Sequence, residues 1–330
     1  MTFHTRHSLI VSTGSYLPET VVSNEDLTQF PREALHLIGE KTGVFYRRIA
    51  SDKECTSDLA AFAAMACLDK IHYPPEQVEG ILLATSSPDR MQPATATRVQ
   101  HMIGAKKAFA FDINSVCSGS TFGIAVADAL IKAGQGNNIL LIASEIYSRI
   151  MNRKDFSSYP FFGDGAGAIF LQAGEMGTAG VLHSCLKTDG SGSDTISVPA
   201  GGTMLPFANM TNPNQAFFRM KGIDVFNFAV DKGSEIILQV LKEAGVSIRD
   251  IKCFICHQAN VNIIRNIAGI LEVPADRFFM NLSSYGNTAG ASVLIALDEA
   301  IATGVIKKSD LVVTVAFGGG LSWGANLIRI

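Results

Sequence analysis

Short, largely apolar runs bounded by glycine or polar turns recur along the chain, at residues 81–85, 139–144 and 311–317. Runs of that length predict strands buried on both faces of a parallel sheet. Residues 8–13 and 253–256 read as further strands, and 326–330 as a closing one. Between them, apolar residues recur every three or four positions and predict helices over 34–41, 59–70, 121–133, 220–244, 261–270 and 293–302. A further helix is expected from Pro93 to about Met102. Asn24 reads as an N-cap with Leu27 opening an apolar side, and Thr56/Ser57 as the cap of the helix after it. Residues 174–215 are rich in Gly, Ser, Thr and Pro and read as a strand followed by a long excursion of the kind that binds ligands. Strands alternating with helices predict an α/β protein.

A repeat lies inside this pattern. Asp128 and Gly134 stand 11 and 17 residues beyond Cys117, and Asp298 and Gly304 stand at the same distances beyond Asn287. Each Ala-rich helix is entered through a turn of small residues and is followed by an apolar strand, a Gly-rich turn and a terminal strand. The offset of 170 residues, from 117 to 287, is about half the chain. It predicts two similar halves, 1–173 and 174–330, with Cys117 and Asn287 at equivalent helix starts converging on one centre.

Composition narrows the function. The chain has 330 residues, of which 47% are hydrophobic and 17% charged, and a net charge of −3. That is enough for one large domain or two fused ones. No Lys/Arg-rich block is present, so nothing points to nucleic acid. No apolar run reaches the roughly 18 residues of a membrane span, and no secretory signal is visible. The six cysteines have no framework spacing, so reduced thiols in a cytoplasmic protein are expected. Cys253 and Cys256 form a C-x-x-C on a strand, where they face alternate ways, and both read as core. The Gly-rich turn 163–167 precedes its strand instead of following one, which excludes a dinucleotide-binding loop.

The chemistry centres on residues 112–120, where a strand ends, a small-residue turn follows and a helix begins near Cys117. A helix N-terminus favours a thiolate, the reactive form of cysteine. The plainer reading is a small buried cysteine at a strand–helix junction. His257 is expected at the carboxyl end of a strand, where α/β sites form, and Asn287 at the symmetry-related helix start. Gly318-Gly319-Gly320 allows backbone N–H groups to approach a ligand closely and to serve an oxyanion hole.

With these residues the whole chain resembles β-ketoacyl-acyl-carrier-protein synthase III, of the thiolase-fold condensing enzymes. The motifs, in order, are residues 14–18, the Cys117 turn, 162–168, 257–260, 286–288, and 317–320 with Trp323-Gly324. The resemblance implies a five-layered αβαβα fold of two pseudo-symmetric halves, a homodimer and a Cys117–His257–Asn287 triad. It implies an acyl-Cys117 intermediate and decarboxylation of a malonyl thioester, with Gly319 in the oxyanion hole and Phe317 shielding the decarboxylation site. Acyl carrier protein is the implied partner, acyl-coenzyme A or acyl-carrier thioesters are the substrates, and no cofactor is required.

The family's coenzyme A grip departs here. Leu37, Lys41 and Phe156 stand where well-studied members place Trp and Arg. Asn262 stands at a carrier-docking Arg, leaving Arg265 as the nearest replacement, while Asn260 is retained. Arg47, Arg48, Arg153 and Lys154 are other candidates for holding coenzyme A. The pocket residue given by the partner subunit falls at Met91-Gln92. These differences favour a longer or polar acyl primer over plain acetyl-coenzyme A. Two alternatives stand beside this reading: an acyltransferase of this fold that does not decarboxylate, and a non-catalytic partner of a condensing heterodimer.

Overall fold

The computed structural model describes residues 6–174 and 179–330. The first half runs β1 (His7–Tyr16), β2 (Thr20–Ser23), α1 (Arg32–Thr42), β3 (Tyr46–Ile49), α2 (Thr56–Asp69), β4 (Gly80–Ala84), α3 (Thr95–Met102), β5 (Phe109–Ile113), α4 (Gly119–Lys132), β6 (Asn138–Glu145) and β7 (Gly165–Gly174). The second runs β8 (Gly180–Thr188), β9 (Ile196–Ser197), β10 (Arg219–Met220), α5 (Gly222–Ala244), β11 (Ile251–Cys256), α6 (Val261–Ile270), α7 (Leu282–Tyr285), α8 (Ser292–Ala302), β12 (Leu311–Gly318) and β13 (Ser322–Arg329).

Two large sheets form, in the orders β1-β7-β6-β4-β5 and β11-β12-β13-β8, beside the two-stranded pairs β2-β3 and β9-β10. Strand β4 is parallel to β5 and β6, and β11 is parallel to β12. Helices α4 and α8 touch both sheets, α2 and α3 cover the outside of the first, and α5 covers the outside of the second with α6 packed on it. The chain is thus layered αβαβα. Residues 81–84, 139–143 and 312–316 are wholly buried because each sheet is covered on both faces. Cys253 packs with the core between the sheets and Cys256 with the core under α5, as alternation along a strand requires.

Local chemistry accounts for the element ends. Asn260 accepts the Asn262 N–H at 2.7 Å and caps α6, which spans the residues its periodicity predicts. Gly43, at φ 79°, closes α1. Asn24 does not cap a helix. It follows β2, its amide donates to the Val44 carbonyl, and its Oδ1 accepts from the buried Arg47 guanidinium. The antiparallel β2–β3 pair, joined across α1, is not visible in the sequence, because both strands are only four residues long.

The repeat is real in three dimensions, but its register at the site differs from the expected one. A 3-10 turn, Val116–Ser118, leads into α4, and another, Ala289–Ala291, leads into α8. Both open on a residue at φ 47°. Val116 N–H donates to Asn114 Oδ1 at 3.2 Å, and Ala289 N–H donates to Asn287 Oδ1 at 2.9 Å. Asn287 therefore answers to Asn114, and Cys117 answers to Gly290. Helix α4 has 14 residues and α8 has 11. Beyond their C-terminal ends Gly134 and Gly304, at φ 72° and 75°, keep the 170-residue offset visible in the sequence.

Candidate active site

Every element that carries a site residue delivers it from the carboxyl end of a strand or the start of an inner helix. Cys117 follows β5, His257 follows β11, Phe317 and Gly318 end β12, and Asn287 precedes α8. All five line one apolar cavity of about 280 Å³. This is the geometry expected for α/β proteins, whose ligands sit outside the carboxyl ends of the strands.

Cys117 lies in the 3-10 turn one step ahead of α4, behind Val116, whose φ of 47° is rare for a β-branched residue. Such a conformation costs about 1–3 kcal/mol and persists where the surroundings enforce it. Gly318 is part of that enforcement: a Cβ there would lie 2.9 Å from both the Cys117 nitrogen and its Cβ. The thiol is not a resting thiolate. Burial, with the Glu145 carboxylate adding to it, pushes its pKa well above the ordinary thiol range. Desolvation thus outweighs the helix N-terminus.

His257 is 2% exposed, and its Nδ1 lies 2.7 Å from Ser292 Oγ. Ser292 Oγ also accepts the Gln258 N–H at 3.3 Å, which leaves the hydroxyl proton free to donate to Nδ1. In the tautomer where Ser292 donates, Nε2 carries the ring proton. Burial lowers the His257 pKa to about 3, so the ring is neutral. Phe317 meets it edge-on, with ring centroids 5.6 Å apart.

Asn287 is held through its backbone, whose N–H donates to the Phe161 carbonyl at 2.8 Å and whose carbonyl accepts the Gly163 N–H at 3.0 Å. Its Oδ1 is committed to Ala289 N–H. The Nδ2 donors remain. His257 and Asn287 are therefore both donors at the site.

Among the other expected residues, Lys41 and Asn260 line the cavity and Gly319 is buried beside it, against Val116 and Ile196. Three do not line it in this chain. Phe156 turns away and packs edge-on against Phe30, with centroids 5.1 Å apart, because apolar burial there outweighs a place at the mouth. Arg265 faces a separate recess with Glu40, Gly43 and Met280, on the opposite face of α6 from Ile263, which lines the cavity. Gln92 is exposed in a surface bend. Arg47 is excluded as a coenzyme A ligand: it is 1% exposed and donates to the Val22 and Pro160 carbonyls.

Sequence reasoning missed the aromatic wall and the acid behind it. Tyr147 stacks on Phe162 at 5.1 Å, and Phe218 meets both edge-on. Glu145, at the end of β6, is fully buried and accepts from Thr85, Ser86 and Ser87. Burial raises its pKa to about 7. Ser86 links it to Tyr147 through a 2.9 Å hydroxyl–hydroxyl contact. Polar residues ending an apolar strand, here Ser144 and Glu145, were the available signal.

Residues 111–190 match the family model described as 3-oxoacyl-[acyl-carrier-protein (ACP)] synthase III, and residues 241–330 match its C-terminal counterpart. A β-ketoacyl-[acyl-carrier-protein] synthase III from Caldanaerobacter subterraneus subsp. tengcongensis is 41% identical over 97% of this chain and 97% of its own. The crystal structure of 3-oxoacyl-[acyl-carrier-protein] synthase III from Aquifex aeolicus superposes with a TM-score of 0.89 at 36% identity, covering 98% of this chain and 100% of that one. A priming β-ketosynthase from a polyketide biosynthetic pathway superposes at 0.90 with 25% identity, covering 99% and 97%.

Proposed function

The chain belongs to the β-ketoacyl-[acyl-carrier-protein] synthase III family, and on that premise we propose that Cys117, His257 and Asn287 carry out its condensation. The enzyme is an acyltransferase that joins an acyl primer to a malonyl thioester by decarboxylative Claisen condensation. The observation that carries the residue assignment is that the thiol and two side-chain donors meet in one apolar cavity.

In the first half-reaction the Cys117 sulfur attacks the thioester carbonyl. The S–H bond breaks, an S–C bond forms, the donor's C–S bond breaks, and the thiol proton leaves with the departing thiol. The N–H groups of Cys117 and of the 318–320 turn stabilise the oxyanion. In the second, the malonyl thioester loses CO₂ and leaves an enolate, whose oxygen receives hydrogen bonds from His257 Nε2 and Asn287 Nδ2. That charge exists only after CO₂ departs, so these donors act on the transition state more than on binding. The enolate carbon then attacks acyl-Cys117, and its thiolate is released and reprotonated. No resident cofactor enters this scheme. The cavity's apolar wall of Phe161, Phe162 and Phe218 excludes water from the acyl-enzyme.

The protein works as a homodimer in this reading. Strand β5 is an edge strand, and its Phe109 and Phe111 are 37% and 39% exposed and stack at 6.3 Å. An open apolar edge of this kind needs a partner. A second copy would also give the Met91-Gln92 turn a pocket to enter. Acyl carrier protein and the malonyl thioester are the partners, the compartment is the cytoplasm, and the division into halves is at residue 173. We also assign a longer or polar primer, since Leu37 and Phe156 supply neither a stacking indole nor a guanidinium at the mouth.

The test is product formation. Purified protein supplied with an acyl thioester and malonyl-carrier protein should release one CO₂ per β-ketoacyl product, and relative kcat/KM for acetyl, medium-chain and dicarboxylate half-thioesters should rank the primer. Acyl transfer without CO₂ release would favour the non-decarboxylating alternative, and a preference for acetyl-coenzyme A would remove the primer assignment.

A further inference from the structure

At the far end of α5 from the catalytic cavity, three donors of different chemistry converge. His183 and Cys185 stand two apart on β8 and so share one face. Glu243, in the last turn of α5, packs over them. His183 Nε2 lies 2.8 Å from Glu243 Oε2, and the Cys185 thiol donates to the same oxygen at 3.2 Å. All three ligand atoms lie within 4.8 Å of one another. Cys185 is 5% exposed, whereas the His183 and Glu243 side chains are 35% and 44% exposed. The other carboxylate oxygen, Oε1, accepts the Gln239 amide at 2.7 Å, which fixes the plane of the carboxylate.

We propose that His183, Cys185 and Glu243 form a binding site for one divalent cation of the zinc class. One imidazole nitrogen, one thiolate and one carboxylate suit a borderline-soft ion, and three protein ligands leave the fourth tetrahedral position to water. Tetrahedral zinc bonds of the usual lengths place such ligand atoms about 3.3–3.6 Å apart. The two contacts seen here are shorter by a few tenths of an ångström, an opening that two exposed side chains can make. Gln239 supplies the outer-shell support that metal-bound carboxylates commonly have. Binding exchanges the thiol proton of Cys185 for the ion, so at least one proton is released to solvent per ion bound. Lys187, two residues further along the same face of β8, is the opposing charge near Cys185. The ion would tie β8, the edge strand of its sheet, to the C-terminal end of α5, whose N-terminal turns line the catalytic cavity.

The test uses full-length protein carrying Cys117→Ala, stripped with chelator, so that the cavity thiol contributes nothing. Zn²⁺ titrated against a chromophoric indicator should bind one equivalent per chain with release of at least one proton. His183→Ala and Glu243→Gln, both at the surface, should each weaken it by about tenfold or more, and Gln239→Ala by roughly 10–100-fold. Lys187→Ala should tighten it. Co²⁺ should give a thiolate-to-metal charge-transfer band in the near ultraviolet that Cys185→Ser abolishes. No stoichiometric binding, or affinity unchanged by both surface substitutions, would overturn the proposal, as would a Co²⁺ complex without the thiolate band.

Discussion

His257 Nδ1 is held 2.7 Å from Ser292 Oγ, and a hydroxyl that donates across this contact leaves the ring proton on Nε2. Ser292 stands at the first residue of α8, so the inner helix of the second half orients the ring. Ser292→Ala frees Nδ1 to keep the proton. Condensation should fall while acylation of Cys117 continues, with a loss smaller than that of removing the ring. The check is a pair of assays on one preparation, acyl loading by intact mass and CO₂ release from malonyl thioester. Equal losses in both would place Ser292 in folding and not in ring orientation.

His257→Ala and Asn287→Ala should likewise take up the acyl label and lose condensation by roughly 10²–10³, the usual scale for removing an oxyanion donor. A His257→Ala enzyme that condenses normally once loaded, yet loads poorly, would reverse the roles.

Glu145 adds to the upward shift that burial imposes on the Cys117 thiol. A like charge raises a pKa, and Glu145 titrates near 7. Removing it by Glu145→Gln should lower the thiol pKa. The pH midpoint for iodoacetamide alkylation of Cys117 should move down, and any inflection near pH 7 in the wild-type profile should disappear. His257, held near 3, contributes no inflection between pH 6 and 8. An inflection that survives Glu145→Gln would contradict this assignment.

Gly167 is where β7 meets the inner helix of the other half. A Cβ there would lie 2.6 Å from Leu294 Cβ and 2.7 Å from the Ile295 nitrogen. Backbone cannot yield as a side-chain tip can, so Gly167→Ala should destabilise by about 1–3 kcal/mol or more, the scale of overpacking. Urea unfolding should show a lower midpoint with an unchanged slope. An unchanged midpoint would mean that α8 shifts freely.

Much of this was legible in the sequence, for identifiable reasons. The strands at 81–84, 139–143 and 312–316 are buried on both faces, so their runs are apolar except for Thr314. Helix α6 announces itself through Asn260, which caps it. Cys117 and Asn287 sit at turns of small residues that the sequence displays, and His257 follows an apolar strand. What the sequence concealed is what tertiary structure alone decides. Ser292 is one of many serines until α8 is set beside β11. Glu145 reads as the polar end of a strand until the 85–87 loop closes over it. The repeat shows the 170-residue offset of the glycines beyond the helices, but the structural counterpart of Asn287 is Asn114, because α8 is the shorter helix. Matching positions along the chain put Phe156 and Arg265 at the site, whereas packing sends both elsewhere.

The central claim is that one cysteine of six carries the acyl group. The most direct measurement is intact-mass analysis after mixing the protein with acyl-coenzyme A and acyl-carrier donors, followed by peptide mapping of the adduct. The account predicts a single acyl increment on the peptide containing Cys117, absent from Cys117→Ala and discharged by malonyl thioester. An increment mapped to Cys185 or Cys256, or one that persists in Cys117→Ala, would contradict it.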